Sequence, residues 1–270
     1  MLRPRLIASD LDGTLLRNDG TLSPRTLRAL RTAESAGAEI VLVTARPPRF
    51  VDRLADAAGF GGTAVCSNGA MVYDIGTRTV VSSRALPLAT ARRVATTLAA
   101  AVPGIGFALE TGNHILYEPA YRLRLSEDTG AELPVPSLAD LWLADVPVTK
   151  LLAWSDRLDA DALLAAAEAG AVDGVQLTHS GGRGLLEISA SGVTKAGTLS
   201  VLCAGRGIDA AEVVAFGDMP NDLSVLEWAG AGYAMGNAHP SVLAAIATHT
   251  LSNEEDGVAD VIERLFGAAR

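Results

Sequence analysis

Aromatic residues make up only 4% of this 270-residue chain, cysteine occurs twice, and of 22 basic side chains only Lys150 and Lys195 are lysine. Few aromatics argue against an aromatic-rich sandwich. A chain that is 49% hydrophobic, mostly alanine, valine and leucine, suits helices packed on a parallel sheet. Cys66 and Cys203 stand in apolar runs without metal-ligand spacing, so the expectation is a pair of buried, reduced thiols in a cytoplasmic protein. Positive charge is short as well: the net charge is −9 and no run of lysine or arginine occurs. That argues against nucleic acid as the main partner, since a duplex binder needs a basic face, and against an anionic membrane surface. No stretch approaches the roughly 20 apolar residues of a membrane helix. The apolar run after Met1-Leu2-Arg3-Pro4-Arg5 is too short for a secretion signal.

What is present has a rhythm. Leu6 to Ser9, Ile40 to Val43, Ala64 to Cys66 and Val213 to Phe216 are short apolar runs that read as buried strands. Helices are expected between them, one opening at Ser23-Pro24 as N-cap and first helical residue. Asn68-Gly69 is a turn signal between strand-like segments. From about Arg84 the pattern changes to helices over an antiparallel sheet, with Pro134, Pro136 and Pro147 marking irregular connections. After Ile188 the strand–helix alternation returns. The expected fold is α/β: a parallel core from residues 1–84 and 187–270, split in sequence by an inserted α+β cap over 85–186. In such sheets ligands collect at the carboxyl ends of the strands. Asp10, Thr44 and Asp218 each stand where an apolar strand stops, which predicts one shared site.

Asp10-Leu11-Asp12-Gly13-Thr14 follows the first strand directly. A carboxylate there can attack phosphorus, and a second carboxyl two residues on can protonate a leaving oxygen and later take a proton from water. Gly13 lets the backbone turn tightly and aim N–H groups at phosphate. The plainer reading is an acidic turn that caps a helix. Thr44 in Thr44-Ala45-Arg46 can donate its hydroxyl to a phosphate oxygen or simply end a strand. Arg46 can serve a substrate or face solvent. Lys195 offers a compact charge able to hold a carboxylate and a phosphoryl group together. Gly217-Asp218-Met219-Pro220-Asn221-Asp222 gathers hard oxygen donors at a strand end, a pattern suited to Mg²⁺. Asp218 leads as ligand; Asn221 or Asp222 binds the metal directly or orients water and Lys195. Helix capping is the alternative for these acids. Without a cation Asp10, Asp12 and Asp218 would repel one another. The proton-shuttling role of Asp12 leaves its backbone carbonyl, not its side chain, for the metal.

Together these motifs resemble the haloacid dehalogenase (HAD) superfamily, specifically Cof-type phosphatases with a type IIB cap. Matching segments are Asp10-x-Asp12-Gly-Thr-Leu, strand-terminal Thr44, Lys195 and Gly217-Asp218-x-x-Asn221-Asp222, with Ser67-Asn68-Gly69-Ala70, Ala234-Met235-Gly236-Asn237-Ala238 and Glu255-Asp256-Gly257-Val258 in support. Met219 departs mildly, since relatives often carry a small or polar residue there. The resemblance implies a Rossmann-like core, Mg²⁺ as cofactor, Asp10 as nucleophile and Asp12 as acid/base. It further implies Thr44 and Lys195 on phosphate, Asp218 on metal supported by Asn221, and Asp222 bracing Lys195. Gly13, Ala45, Arg46, Asn68 and Gly69 are then expected on the substrate side. The implied function is a hydrolase for a small phosphorylated metabolite such as a sugar phosphate. A sugar phosphomutase or phosphotransferase, or a non-catalytic phosphometabolite binder, are the alternatives. In the cap, Arg122 and Arg124 would share a face if that stretch is extended, and could meet a second anionic group.

Overall fold

The computed structural model describes residues 3–123, 131–170, 173–181 and 184–267. The chain divides into two compact units, residues 1–46, 51–81 and 194–270 in the first, 47–50 and 82–193 in the second.

The first unit begins with Leu6–Ser9 (β1), Glu39–Val43 (β2) and Thr63–Cys66 (β3), buried along their whole length except at Glu39. Strands that are apolar on both faces belong in the middle of a parallel sheet. Helices Pro24–Ser35 (α1) and Pro48–Ala58 (α2) make the crossovers. The α1 start is written as expected: Ser23 accepts from the Thr26 amide and Pro24 takes the first helical position. Thr26, Ala29, Leu30 and Ala33 form its buried stripe at helical spacing. Met71–Asp74 (β4) turns back antiparallel on β3, and Thr79–Ser83 (β5) forms the exposed edge.

The second unit runs through Leu88–Ala101 (α3), Gly106–Glu110 (β6), Ile115–Tyr117 (β7), Glu132–Pro134 (β8), Leu138–Leu141 (α4), Lys150–Trp154 (β9), Ala160–Ala169 (α5), Val175–Thr178 (β10) and Leu185–Ala190 (β11). Among the described residues its sheet has the order β10-β11-β9-β6-β7-β8. All pairs are antiparallel except β7 with β8. Pro134, read from sequence as an irregular connection, ends β8 instead. That strand lies at the sheet edge, where proline's missing N–H costs no ladder bond. Arg122 lies outside the strands, paired with Asp156 and over the Trp154 ring. Arg124 lies outside the described residues.

The chain then returns to the first unit with Lys195–Gly205 (α6), Val213–Gly217 (β12), Leu223–Trp228 (α7), Ala231–Ala234 (β13), Pro240–Ala245 (α8) and Gly257–Phe266 (α9). After β12 a single tight turn, Pro220–Asp222, leads into α7. The completed order is β13-β12-β1-β2-β3-β4-β5, parallel from β13 to β3. Neighbours β12, β1 and β2 therefore end side by side, delivering Asp218, Asp10 and Thr44 to one edge. Among the described residues no helix is long and apolar enough to cross a membrane, and both cysteines are buried and in no disulfide.

Candidate active site

β1 runs straight into Asp10, whose amide donates to the Phe216 carbonyl at 3.1 Å and so keeps the chain in register with β12. The chain then closes a tight turn, with Leu15 N on Asp10 O at 3.3 Å and Leu16 N on Leu11 O at 2.8 Å. Gly13 carries φ +74°, and a Cβ there would sit 2.4 Å from Asp218 Oδ2. Both facts require glycine. Thr14 Oγ1 donates to Asp218 Oδ1 at 2.7 Å, and Asn237 Nδ2 holds the Gly13 carbonyl at 2.8 Å.

Lys195 is the first residue of α6, set by the Thr194 N-cap. Its side chain is wholly buried, with Nζ 2.7 Å from Asp10 Oδ1 and 2.6 Å from Asp222 Oδ1. The other Asp222 oxygen accepts from the amides of Asp218 and Met219 at 3.0 and 2.9 Å. Asp222 thus braces the lysine and the turn that presents Asp218. Carboxylate oxygens of Asp10, Asp218 and Asp222 lie within 4.8 Å of one another.

Three buried carboxylates beside one ammonium set the electrostatics. Burial raises the Asp10 pKa well above the usual carboxylate range; Lys195 opposes this, while Asp222, Asp218 and Asp12 reinforce it. Burial, then Asp222, pushes Asp218 up to about 7. Burial alone would lower the Lys195 pKa, but Asp10 and Asp222 outweigh it and hold the ammonium above its ordinary value.

At the end of β2, Thr44 is buried and its Oγ1 accepts from the Arg46 amide at 3.0 Å. That leaves its hydroxyl proton available to another acceptor. Ala45 lies between them, half-buried. Arg46 grips Asp12 through two bonds of 2.6 Å, while the Asp12 side chain keeps 47% of its surface exposed. The Asp12 carboxylate accordingly stands apart from the buried acid cluster. Across the turn after β3, Ser67 N donates to Arg46 O and Asn68 N to Thr44 O, each at 3.0 Å. Asn68 is buried, and its Oδ1 accepts from Asn221 Nδ2 at 3.0 Å. Gly69, at φ +99°, lies where a Cβ would fall 2.3 Å from Thr194 O.

This donor set fits a hard divalent cation. It is all oxygen and anionic, and in the turn that carries Asp222 the Asn221 Oδ1 is buried without a hydrogen-bond partner. Sequence reasoning missed Thr14 as the group that orients Asp218. It also missed Asn237 and Asn253, which lace the Gly13 turn to the segment after Ser252 (Asn253 N on Asn237 Oδ1, 2.9 Å; Asn253 Nδ2 on Leu16 O, 2.9 Å). The asparagines lie in or beside the matched segments at Asn237 and Glu255, which was the available signal.

The family model for haloacid dehalogenase-like hydrolases matches residues 7–262. The chain is similar to pyridoxal phosphate phosphatase YbhA of Escherichia coli (strain K12), 30% identical over 96% of this chain and 97% of that protein. It is also similar to the 5-amino-6-(5-phospho-D-ribitylamino)uracil phosphatase YitU of Bacillus subtilis (strain 168), 28% identical over 98% of each. A solved haloacid dehalogenase-like hydrolase from Bacteroides thetaiotaomicron superposes with a TM-score of 0.78 at 30% identity, covering 97% of this chain and 100% of that one. The family model spans nearly the whole chain and a 30% identical relative is covered almost end to end: the chain belongs to the haloacid dehalogenase-like hydrolase family.

Proposed function

We propose that this phosphoric monoester hydrolase cleaves a small phosphorylated metabolite, such as a sugar phosphate, through an aspartyl-phosphate on Asp10 and with Mg²⁺ as cofactor. The observation that carries the reading is the 2.7 Å contact of Lys195 with Asp10 inside a buried acid cluster. It fixes one Asp10 oxygen and leaves the other for phosphorus. Two relatives are named for small phosphorylated molecules, pyridoxal phosphate and 5-amino-6-(5-phospho-D-ribitylamino)uracil, in keeping with this substrate class. Residues 85–186, as an inserted cap, would supply substrate specificity.

In the first step the free Asp10 oxygen attacks phosphorus. The new O–P bond forms as the bond to the ester oxygen breaks, and that oxygen leaves with the proton of Asp12. In the second step Asp12 takes a proton from water, whose oxygen attacks phosphorus. Inorganic phosphate departs, Asp10 returns as carboxylate and Asp12 as acid. The Thr44 hydroxyl and Lys195 ammonium bind phosphate oxygens, joined by backbone N–H groups of the Gly13 turn. Asp10, Asp218 and Asn221, with the backbone carbonyl of Asp12, would hold Mg²⁺. When bound, the ion supplies the positive charge that shields the incoming phosphate from the acid cluster.

Asp10→Asn is expected to reduce turnover of 4-nitrophenyl phosphate by about a thousandfold or more while far-ultraviolet circular dichroism is unchanged. Wild-type turnover in that variant would remove the nucleophile. Chelation with EDTA is expected to stop the reaction and added Mg²⁺ to restore it. Release of inorganic phosphate from a sugar phosphate, rather than its transfer to a second sugar position, separates hydrolysis from mutase chemistry.

A further inference from the structure

We propose that Asn68 is a positioning residue for the cation site: by accepting from the Asn221 amide nitrogen, it holds Asn221 Oδ1 in the orientation that meets the divalent ion. The inference rests on the Mg²⁺ reading above and deepens it.

A carboxamide has two ends of nearly equal size and opposite hydrogen-bonding sense, so its orientation is decided by whichever end finds a partner first. In Asn221 the nitrogen end is engaged, 3.0 Å from Asn68 Oδ1, and the oxygen end is buried with no donor. Asn221 belongs to the short turn Pro220–Asp222 that follows Asp218, and Asp222 ties that turn to the Asp218 amide. Beside carboxylates an unconstrained carboxamide would turn its N–H₂ toward them. An oxygen left there adds to the negative field and is satisfied by a cation. Asn68 prevents the flip.

The chain invests conformational strain in placing that acceptor. Ser67 and Asn68 have φ of +52° and +57°, two successive non-glycine residues in the left-handed region. The strained turn is held on several sides. Ser67 N reaches Arg46 O and Asn68 N reaches Thr44 O, each at 3.0 Å, while Thr198 Oγ1 reaches Gly69 O at 2.6 Å. Asparagine meets both demands of the position, since it tolerates the left-handed backbone and carries an uncharged acceptor. The sequence motif Ser67-Asn68-Gly69 thus serves the turn that holds Asp218 and Asp222, 153 residues away from Asn68 at Asn221.

The test measures Mg²⁺ affinity by isothermal titration calorimetry on protein without substrate. Asn68→Gly keeps the left-handed backbone and removes the acceptor, and is expected to weaken Mg²⁺ binding about tenfold or more. Asn68→Asp keeps an acceptor oxygen and is expected to bind Mg²⁺ close to wild type or tighter. Asn221→Ala is expected to weaken binding to a similar degree, and the double variant Asn68→Gly/Asn221→Ala to be no weaker than either alone. Asn68→Ala serves as the second deletion should glycine loosen the turn. Wild-type affinity in the deletions, equal loss in Asn68→Asp, or multiplied losses in the double variant would overturn the positioning role. Failure of the wild-type protein to bind Mg²⁺ would overturn the cation site itself, a result distinct from unaffected Asn68 variants in a protein that binds it.

Discussion

Thr14 shows how much of this site rests on one hydroxyl. Its 2.7 Å bond is the side-chain donor that orients Asp218. Replacing it with valine keeps the shape and leaves a buried carboxylate without that donor, which should destabilise the protein by about 2 kcal/mol in urea unfolding. An unchanged midpoint would show that Asp218 finds another partner. The same carboxylate sets a pH response. An acid whose pKa rises from 3.8 in the unfolded chain to about 7 in the fold binds more protons folded than unfolded. Metal-free stability should therefore fall as pH rises from about 4 to about 7, the penalty being complete above that. A divalent cation held by Asp218, as proposed, would compete with those protons, so the rise in melting temperature on adding Mg²⁺ should be larger at about pH 7.5 than at about pH 5.5. Equal rises would contradict the assignment of Asp218. The placement of Asp10 and Asp218 at neighbouring strand ends was legible because an apolar run ending in an acid is a local signal. The partner of Thr14 lies 204 positions away, and nothing local announces it.

Among the elements, the turn after β3 is tightly constrained. Gly69 combines φ +99° with a would-be Cβ only 2.3 Å from Thr194 O, and that oxygen belongs to the N-cap of α6. Gly69→Ala must either flatten the turn or push the helix that carries Lys195. We expect a loss of about 2 kcal/mol or more in stability together with reduced turnover, read from urea unfolding and steady-state kinetics of one preparation. Loss of neither would mean the turn adapts. At the start of α1, Ser23→Ala should cost about 1 kcal/mol with no effect on turnover, since the Ser23 side chain bonds only Thr26 of its own helix turn. Helices and central strands were readable from caps and apolar runs. β8 was not, because a three-residue edge strand ending in Pro134 has neither length nor alternation to mark it.

At the scale of the molecule, apolar burial is divided. One cluster is built from β1, β2, β3, β12 and the helices of the first unit, including Ile7, Val41, Leu199, Phe216 and Ile262. Another, with Val94, Leu98, Phe107, Leu151 and Ile188, belongs to the second. The second unit is contiguous apart from residues 47–50, and Arg84 clasps its ends by donating to the carbonyls of Ser191 and Gly192 at 3.2 Å. A chain of residues 82–193 should therefore fold alone and melt cooperatively by circular dichroism; a broad, non-cooperative melt would refute its independence. The other unit has no such autonomy in time. Asp10 and Lys195 are separated by 185 positions, and Asp222 lies 27 beyond the lysine. A growing polypeptide on the ribosome therefore cannot assemble the acid cluster until Asp222 has emerged, and any product of premature termination before Lys195 carries Asp10 without the ammonium that holds it.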